Sequence, residues 1–302
     1  MTLSTTLFDS ATGRMSKNIK FATIHAFNDY KKEVWEFATK EKTDQKYEQM
    51  VGYEGFGAAP KKTEGADVIP VDFKEGYKTT IAQETWAYEV RVTWEQRKFS
   101  VKSAAFAKQI GFFLGRSASL RYEYTGADIF NNGFTDSAAY HGGDDKPLFS
   151  ASHPWKMGST YSNVLTAADL SKTALQSALK VIHNAKMESN IPAKLMAEKM
   201  IIGYENVFEL PELLKSTLDP ESGNNTYNAI QDFGLGKSLN HFLSDTDSFY
   251  ITTDATYLAI LEASSPFLST ESYPNKDIGE NIWMSLNNGF KDPLGTYGNQ
   301  GA

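Results

Sequence analysis

Residues 101–134 have the sequence VKSAAFAKQIGFFLGRSASLRYEYTGADIFNNGF, and this stretch determines the fold. Its large apolar residues recur at steps of three and four, so about 30 residues are predicted to form one helix about 45 Å long. The apolar stripe consists of Phe106, Ile110, Phe113, Leu120, Tyr124, Ala127 and Phe130. Gly111, Gly115 and Gly126 each weaken such a helix by up to about 1 kcal/mol, so packing must sustain it. Glycine at these positions would also let another chain segment approach closely.

Upstream of this helix, residues 86–94 alternate between apolar and polar side chains, which is typical of a strand with one apolar face. The apolar positions are Trp86, Tyr88, Val90, Val92 and Trp94. A weaker alternation over 77–81 precedes them. Residues 83–85 contain no tight-turn sequence, so the two runs are either one long bent strand or two paired strands. Because a two-stranded ribbon alone is barely stable in water, we expect something outside it to cover its apolar face.

The N-terminal segment, residues 1–50, is predicted to be an arm that contains one amphipathic helix. The helix is indicated by apolar residues at helical spacing, namely Phe27, Tyr30, Val34, Phe37 and Ala38. Residues 1–20 hold few large apolar side chains, and such a tail is expected to become ordered only against a partner surface. Residues 51–66 are glycine-rich and predict a loop.

Downstream of the long helix, residues 135–165 predict an irregular loop, followed by elements of both kinds. A second helix is predicted to start in a capping box at Thr166 and Asp169. A further helix over 205–217 is interrupted or restarted at Pro211. Short strands are predicted at 200–202, 249–252 and 282–286, and the Gly- and Asn-rich segment 292–302 is predicted to be a tail. This mixture predicts an α+β protein.

Composition excludes several classes of function. The 302 residues include no cysteine, which excludes disulfides, thiolate metal sites and cysteine nucleophiles. A net charge of −7 argues against a dedicated nucleic-acid-binding module. No signal peptide and no apolar run of about 20 residues is present, so we expect no membrane partner and a chain kept in the cytoplasm or in something assembled there.

A cluster of possible metal ligands lies in the 135–165 loop. His141, Asp144, Asp145 and His153 are residue types that bind zinc or manganese, although their spacing matches no known motif. Gly142–Asp145 is equally typical of a turn, and a histidine before proline can tie two loop segments together. Ser150 with His153 and Asp145 could form a triad, but the sequence has no nucleophile elbow, phosphate loop or dinucleotide fingerprint. We therefore predict no enzyme and no cofactor, with a metal-dependent hydrolase as the remote alternative.

An ordered series of motifs between about residues 100 and 300 resembles the phage major capsid proteins related to the Mu-like head subunit. The segments KPLFSASHP (146–154) and SNVL (162–165) are similar to a family loop of the form LFS-x-x-HP and the Asn-rich turn after it. Others are LLKSTL (213–218) with Asn224, Asn225 and Asn228, LSDTDSFY (243–250), and DPLGTYG (292–298). Two positions depart from the family pattern: Leu294 stands where arginine is common, and residues 200–204 replace a usual Pro-Pro step.

The resemblance implies an HK97-like capsid fold with an N-terminal arm, an extended β-hairpin loop, a long spine helix, and peripheral and axial domains. The implied boundaries are 1–50 for the arm, 51–98 for the extended loop, 99–165 for the peripheral domain with its spine helix at 101–133, 166–247 for the axial domain, and 248–302 for the return to the peripheral domain.

The resemblance also implies a function. We expect a structural subunit that self-assembles into hexamers and pentamers of an icosahedral phage head, enclosing double-stranded DNA without sequence-specific binding. Further partners would be scaffold, portal and decoration proteins, and the location would be the virion, assembled in the host cytoplasm. An encapsulin-type compartment shell is the alternative within this fold. The assembly interface is predicted to include Trp86, Tyr88, Val90, Val92, Trp94, Phe27 and Tyr30.

Overall fold

The described part of the chain packs around two large apolar cores. The structure is a computed structural model that describes residues 5–53, 59–65, 67–68, 70, 75–99, 103–156, 158–218 and 227–301. The predicted extended-loop segment 51–98 and the motif residues Asn224 and Asn225 lie partly or wholly outside these ranges.

The chain contains both helices and strands, in agreement with the predicted α+β class. The helices are α1 (Thr5–Asp29), α2 (Trp94–Phe99), α3 (Ser103–Asn131), α4 (Lys172–His183) and α5 (Glu209–Lys215). The strands are β1 (Thr39–Lys42), β2 (Tyr47–Tyr53), β3 (Glu75–Ala82), β4 (Thr85–Val92), β5 (His153–Pro154), β6 (Thr160–Tyr161), β7 (Ala197–Ile202), β8 (Gly236–Leu239), β9 (Phe249–Thr253), β10 (Leu258–Ser272), β11 (Ile278–Phe290) and β12 (Thr296–Asn299).

The long helix α3 is confirmed and forms the centre of the first core. Its buried side chains include Ala107, Leu114, Ala118 and Tyr122, which the predicted stripe left out. Ile110, Ala127 and Phe130 of that stripe are buried, but Phe113 and Tyr124 are 56% and 55% exposed, so their assignment to the core was wrong. The reason is that α3 is covered on two sides, by the first sheet and by α1, and a single stripe does not describe both contacts.

Helix α1 packs along α3 in the same direction, and the glycines of α3 allow the close approach. A side chain at Gly111 would overlap the carbonyl oxygen of Ile19, one at Gly115 that of Thr23, and one at Gly126 the side chain of Val34. The predicted close approach at these glycines is therefore confirmed. Residues 1–20 were expected to need a partner; from Thr5 they are helical, and Ile19 is 1% exposed against the chain's own α3.

The helix predicted from Phe27 to Ala38 is wrong, because α1 ends at Asp29 and a short 3₁₀ turn follows over Glu33–Glu36. The carboxylate of Glu123 on α3 accepts the backbone N–H groups of Glu33 and Val34, at 2.7 and 3.1 Å. These bonds end the α-helical path and place Val34 in the core beside Gly126.

Gly115→Ala is expected to lower the free energy of unfolding by about 1–2 kcal/mol, although alanine is the better helix former. The added Cβ would overlap the Thr23 carbonyl oxygen and lie 2.9 Å from the Cβ of Ala26, and a backbone oxygen cannot swing aside. Urea denaturation measures the change. Ser117→Ala on the same helix is the control and should change stability by no more than about 0.5 kcal/mol. Equal stability of the Gly115→Ala variant and the wild type would contradict this account of the α1–α3 contact.

The first sheet has the strand order β1-β10-β11-β4. Residues 85–92 form the predicted strand, but they do not pair with the 77–81 run. Instead β4 pairs with β11, while β3 pairs with β2 in a separate two-stranded sheet. The two runs therefore do not pair with each other, which contradicts the paired-strand alternative, and Ile81 packs with Ala259 and Leu261 of β10. Trp94 belongs to α2 rather than to the strand.

The second sheet has the order β12-β9-β7-β8 and lies in the second core with α4 and α5. The predicted strands at 200–202 and 249–252 are confirmed within β7 and β9. The predicted tail forms β12, whose four residues are all buried, so that prediction was wrong. The predicted capping box at Thr166 and Asp169 is also wrong, because Ser171 caps α4. The backbone N–H groups of Leu165 and Ala168 instead donate to the carbonyl oxygen of Gly298 and the side-chain oxygen of Asn299.

Membership of the sheets crosses the predicted domain boundaries. Strands β9 and β12 complete the second sheet, although residues 248–302 were assigned to the peripheral return. Strand β1, from the predicted arm, pairs with β10 in the first sheet.

Candidate assembly surfaces

The residues predicted on β4 do not form one free face. Tyr88 is 59% exposed, whereas Val92 is 1% exposed within the single chain and offers no surface to a neighbour. Trp86 and Val90 are half-buried against the first core. The Trp86 ring stacks on the Arg121 guanidinium at 3.3 Å and donates its N–H to the carbonyl oxygen of Leu286. The strand's alternation thus indicates mainly contacts with the chain's own β11 and α3.

The other predicted interface residues lie elsewhere. The Trp94 ring meets Phe99 edge-on at 5.8 Å. Phe27 is half-buried, with its ring 5.7 Å from that of Tyr122. Tyr30 lines the groove described next; burial, with the nearby carboxylates of Glu123 and Glu33, raises the pKa of its hydroxyl.

An open groove runs between α1 and α3 on the side away from the first sheet, and we call it the α1–α3 groove. Phe21, Phe112 and Phe113 line it and are 67%, 48% and 56% exposed. Its other lining residues are Ala22, His25, Ala26, Asp29, Tyr30, Lys108, Gln109 and Arg116. Exposed aromatic side chains that lie this close together are unusual on a monomer and typical of an interaction surface.

A second exposed aromatic surface lies at the start of α5, and we call residues 204–212 the acidic corner. Phe208 is 79% and Tyr204 57% exposed. The carboxylates of Glu205, Glu209 and Glu212 are exposed beside them. The second core fixes the position of the corner, because α5 buries Leu210, Leu213 and Leu214 there.

A ring contact and a hydrogen bond connect the acidic corner to the 3₁₀ turn after α1. The Tyr204 ring lies 4.7 Å from that of His241, and His241 Nδ1 lies 2.5 Å from a carboxylate oxygen of Glu33.

Sequence reasoning missed both surfaces. Phe113 was assigned to the core, and Phe112 and Phe208 were not singled out. One signal was available: Phe112 and Phe113 are adjacent on a helix and point about 100° apart, so both cannot lie in one narrow buried stripe.

Of the four candidate metal ligands, only His153 and Asp144 contact each other, whereas His141 pairs with Asp136. His153 Nδ1 lies 2.6 Å from Asp144, and His141 Nε2 lies 2.7 Å from Asp136. Asp145 has a φ of 57° in the turn. Among the described residues, no group of three or more such side chains could hold a metal ion. The proposed triad does not form either, because His153 contacts Asp144 while the Ser150 hydroxyl accepts from the N–H of Ser152.

His153 instead lies in a buried polar cluster, where its Nδ1 contacts Asp144 while its Nε2 has no hydrogen-bond partner in the part of the chain that the structure describes. Its ring is fully buried and stacks on Tyr161 at 5.1 Å. The nearby Asp292 carboxylate accepts the N–H of Leu294 at 2.9 Å. Burial raises the pKa of Asp292 above its usual range, and the charge of Asp144 raises it further, despite that hydrogen bond and the influence of His153.

Asp292→Asn is expected to weaken the pH dependence of stability between about pH 4 and 8. Because the folded-state pKa is raised, the ionised carboxylate disfavours the fold, and this cost appears as pH rises through that pKa. Asparagine keeps an oxygen to accept the Leu294 N–H but carries no charge, so stability relative to wild type should be higher at pH 8 than at pH 4. Urea midpoints at both values measure this. Asp254→Asn, exposed and outside the cluster, is the control; an equal effect of both substitutions would contradict the assignment.

None of the described helices contains an apolar run long enough to span a bilayer.

Comparison with known proteins gives one family. Residues 76–299 match the model of a family described as phage capsid protein. No curated protein matches the sequence.

Several solved structures share the fold. The capsid of an empty GTA particle is 10% identical, with 89% of each chain covered and a TM-score of 0.58. The mature capsid of bacteriophage PhiM1 is 12% identical, covering 90% of this chain and 87% of that one, with a TM-score of 0.55. A virus-like particle from Pyrococcus furiosus is 11% identical, covering 94% and 98%, with a TM-score of 0.51. At these identities the structural likeness shows the fold alone.

Proposed function

Because this chain belongs to the phage capsid protein family, with an HK97-like fold, we propose that copies of it assemble as hexamers and pentamers into an icosahedral head around double-stranded DNA. Its role is structural. The family model favours a phage head over an encapsulin-type compartment, and the Mu-like subtype stays a prediction.

The observation that carries this proposal is the α1–α3 groove. Phe21, Phe112 and Phe113 are about half or more exposed on adjacent helices. Burying apolar surface contributes about 25 cal/mol per Å², so an association that covers these rings gains free energy with each copy added. Obligate interfaces of about 2,000 Å² or more commonly combine several such patches.

We propose the following domain roles. The first core, built on α3 and the β1-β10-β11-β4 sheet, is the peripheral domain, and α3 is its spine helix. The second core is the axial domain, extended beyond residues 166–247 to include β9 and β12. Residues 1–50 act as the arm and residues 51–98 as the extended loop, except that β1 and β4 within these ranges join the peripheral sheet.

We also propose which of the predicted interface residues contact neighbours. Tyr88 contacts a neighbour from the outer strand β4, together with the half-buried Trp86 and Val90 beside it. Tyr30 contacts a neighbour as part of the lining of the α1–α3 groove. Trp94 and Phe27 make weaker contacts, and Val92 makes none because it is buried.

The remaining partners follow from the same proposal. The subunit catalyses no reaction and uses no cofactor. Scaffold, portal and decoration proteins act with it in the host cytoplasm, and the product is the virion. The net charge of −7 suits enclosure of DNA without tight binding.

Electron microscopy and sedimentation velocity of the purified full chain test the proposal. We expect regular closed shells in place of monomers at micromolar concentration. Particles isolated from infected or expressing cells should contain nucleic acid, whereas protein cargo in the interior would favour an encapsulin-type compartment. A compact monomer that never forms shells, alone or with a scaffold protein, would contradict the proposed function.

A further inference from the structure

We propose that the acidic corner of one copy docks in the α1–α3 groove of a neighbouring copy, in a head-to-tail contact. This inference rests on the proposed self-assembly and specifies which two surfaces meet. Both surfaces are exposed in the single chain, and they differ in shape and in charge.

The shapes of the two surfaces are complementary. Phe208 is 79% exposed at the start of α5, with Tyr204 one turn before it. The groove is a concave strip between two helices, lined by Phe21, Phe112 and Phe113. A protruding aromatic side chain that enters an aromatic-lined groove is the arrangement found at the energetic centre of many interfaces.

The charges of the two surfaces are also complementary. The groove is lined by two basic residues, Lys108 and Arg116, and by one acidic residue, Asp29, so its lining is basic on balance. The exposed Lys17 lies one turn before Phe21.

The corner carries the opposite charge. Glu205, Glu209 and Glu212 are exposed there, and Lys215 lies at the far end of α5. Within the described residues, Lys108, Arg116 and these three glutamates form no ion pair, so their charges are available to a neighbour.

The Lys108 end of the groove lies far from the acidic corner of the same chain. The corner contacts His241, which in turn contacts Glu33. The backbone N–H of Glu33 donates to the carboxylate of Glu123 on α3. Lys108 lies 15 residues earlier on the same helix, which is about 22 Å along its axis. Different patches on one subunit that bind each other between copies form a heterologous contact, which closes into rings when the rotation permits. Hexamers and pentamers are such rings.

Charge reversal on each side, alone and together, tests the pairing in the full chain. Lys108→Glu with Arg116→Glu should abolish shells in sedimentation velocity and electron microscopy. Glu205→Lys with Glu209→Lys should do the same. The variant with all four changes keeps the net charge of −7 and should restore shells, because each copy then presents swapped but complementary surfaces.

Controls separate this pairing from the effects of folding and net charge. Lys180→Glu with Lys237→Glu changes two exposed lysines elsewhere and should leave shells intact. Circular dichroism melting should be unchanged in all variants, because the altered side chains are exposed. Shells formed by either two-residue reversal, or failure of the four-residue variant to restore them, would overturn the pairing while leaving the proposed function in place. Absence of shells from the wild type would instead contradict the proposed function.

Discussion

Asn163→Leu is expected to lower the free energy of unfolding by about 3–5 kcal/mol, because the Asn163 side chain hydrogen-bonds backbone groups of two separate chain segments. Asn163 is fully buried. Its amide nitrogen donates to the carbonyl oxygens of Leu148 and Thr296, at 2.7 and 3.0 Å, and lies 3.1 Å from that of Pro293. Its amide oxygen accepts the N–H of Ser150 at 2.9 Å. Leucine has a similar size but leaves these backbone groups buried without partners.

Urea denaturation of the Asn163 variants measures this effect. Asn163→Asp keeps the acceptor for Ser150 but loses both donors and adds a buried charge, so it should be destabilised as well, and more strongly at pH 8 than at pH 4. The control is Ser162→Ala, since Ser162 is exposed and bonds only locally to Val164. We expect that control to cost no more than about 1 kcal/mol. A leucine variant as stable as the wild type would show that the hydrogen bonds of Asn163 do not stabilise the fold.

The sequence motif containing Asn163 was recognised, but its role was not. The segment SNVL reads as an Asn-rich turn, whereas the structure makes it the junction between the 148–150 loop and the 293–298 segment. Hydrogen bonds between segments about 130 residues apart leave no periodic pattern in the sequence.

Elements with a strong local pattern were predicted correctly. Helix α3 has long helical periodicity, β4 alternates, and the apolar runs in β7 and β9 are fully buried. Each of these patterns arises because one face of the element is buried, and such burial repeats along the sequence with the period of the helix or strand.

Strand β10 was missed although it is among the longest elements. Its second half is rich in serine and contains Pro266, and neither residue type favours a strand. The ladder to β11 shifts register between Ser264 and Phe267, and this irregularity accommodates the proline. Strand β12 was missed for a similar reason, since its glycine and asparagine resemble a loop until β9 pairs with them.

The proposed docking surfaces could be predicted least. Periodicity places a phenylalanine on a helix face but does not say whether another chain or the same chain covers that face. Phe113 continues the stripe that contains Ile110, yet it is exposed because α1 and the first sheet already cover α3 on its other sides. Helix α1, which forms half of the groove, begins within residues 1–20, which were predicted to become ordered only against a partner surface.

Phe149→Ala is expected to destabilise the chain by about 3–5 kcal/mol, the usual cost of removing a buried aromatic ring. The Phe149 side chain is 2% exposed. Its ring stacks on Tyr250 of β9 at 5.3 Å and lies 4.8 Å from Phe134. The ring also fills the space beside Gly298 of β12, where an added Cβ would lie 2.8 Å from it. Phe149 therefore joins the first core to strands of the second.

Thermal and urea denaturation measure this change. Phe149→Leu should cost less, about 1–2 kcal/mol, because leucine fills part of the space. Phe99→Ala removes a ring that is 71% exposed and should change stability by no more than about 0.5 kcal/mol. Equal effects of Phe149→Ala and Phe99→Ala would contradict the packing described here.

The two classes of substitution separate folding from assembly. Phe149 lies in the LFSASHP motif, yet its contacts are internal, so its loss should lower subunit stability and reduce shells only as a consequence. Charge reversals in the α1–α3 groove or the acidic corner should leave subunit stability unchanged and abolish shells. If Phe149→Ala removed shells at a temperature where the subunit is fully folded, the ring would contribute to assembly directly, and the motif would mark an interface as well as a core.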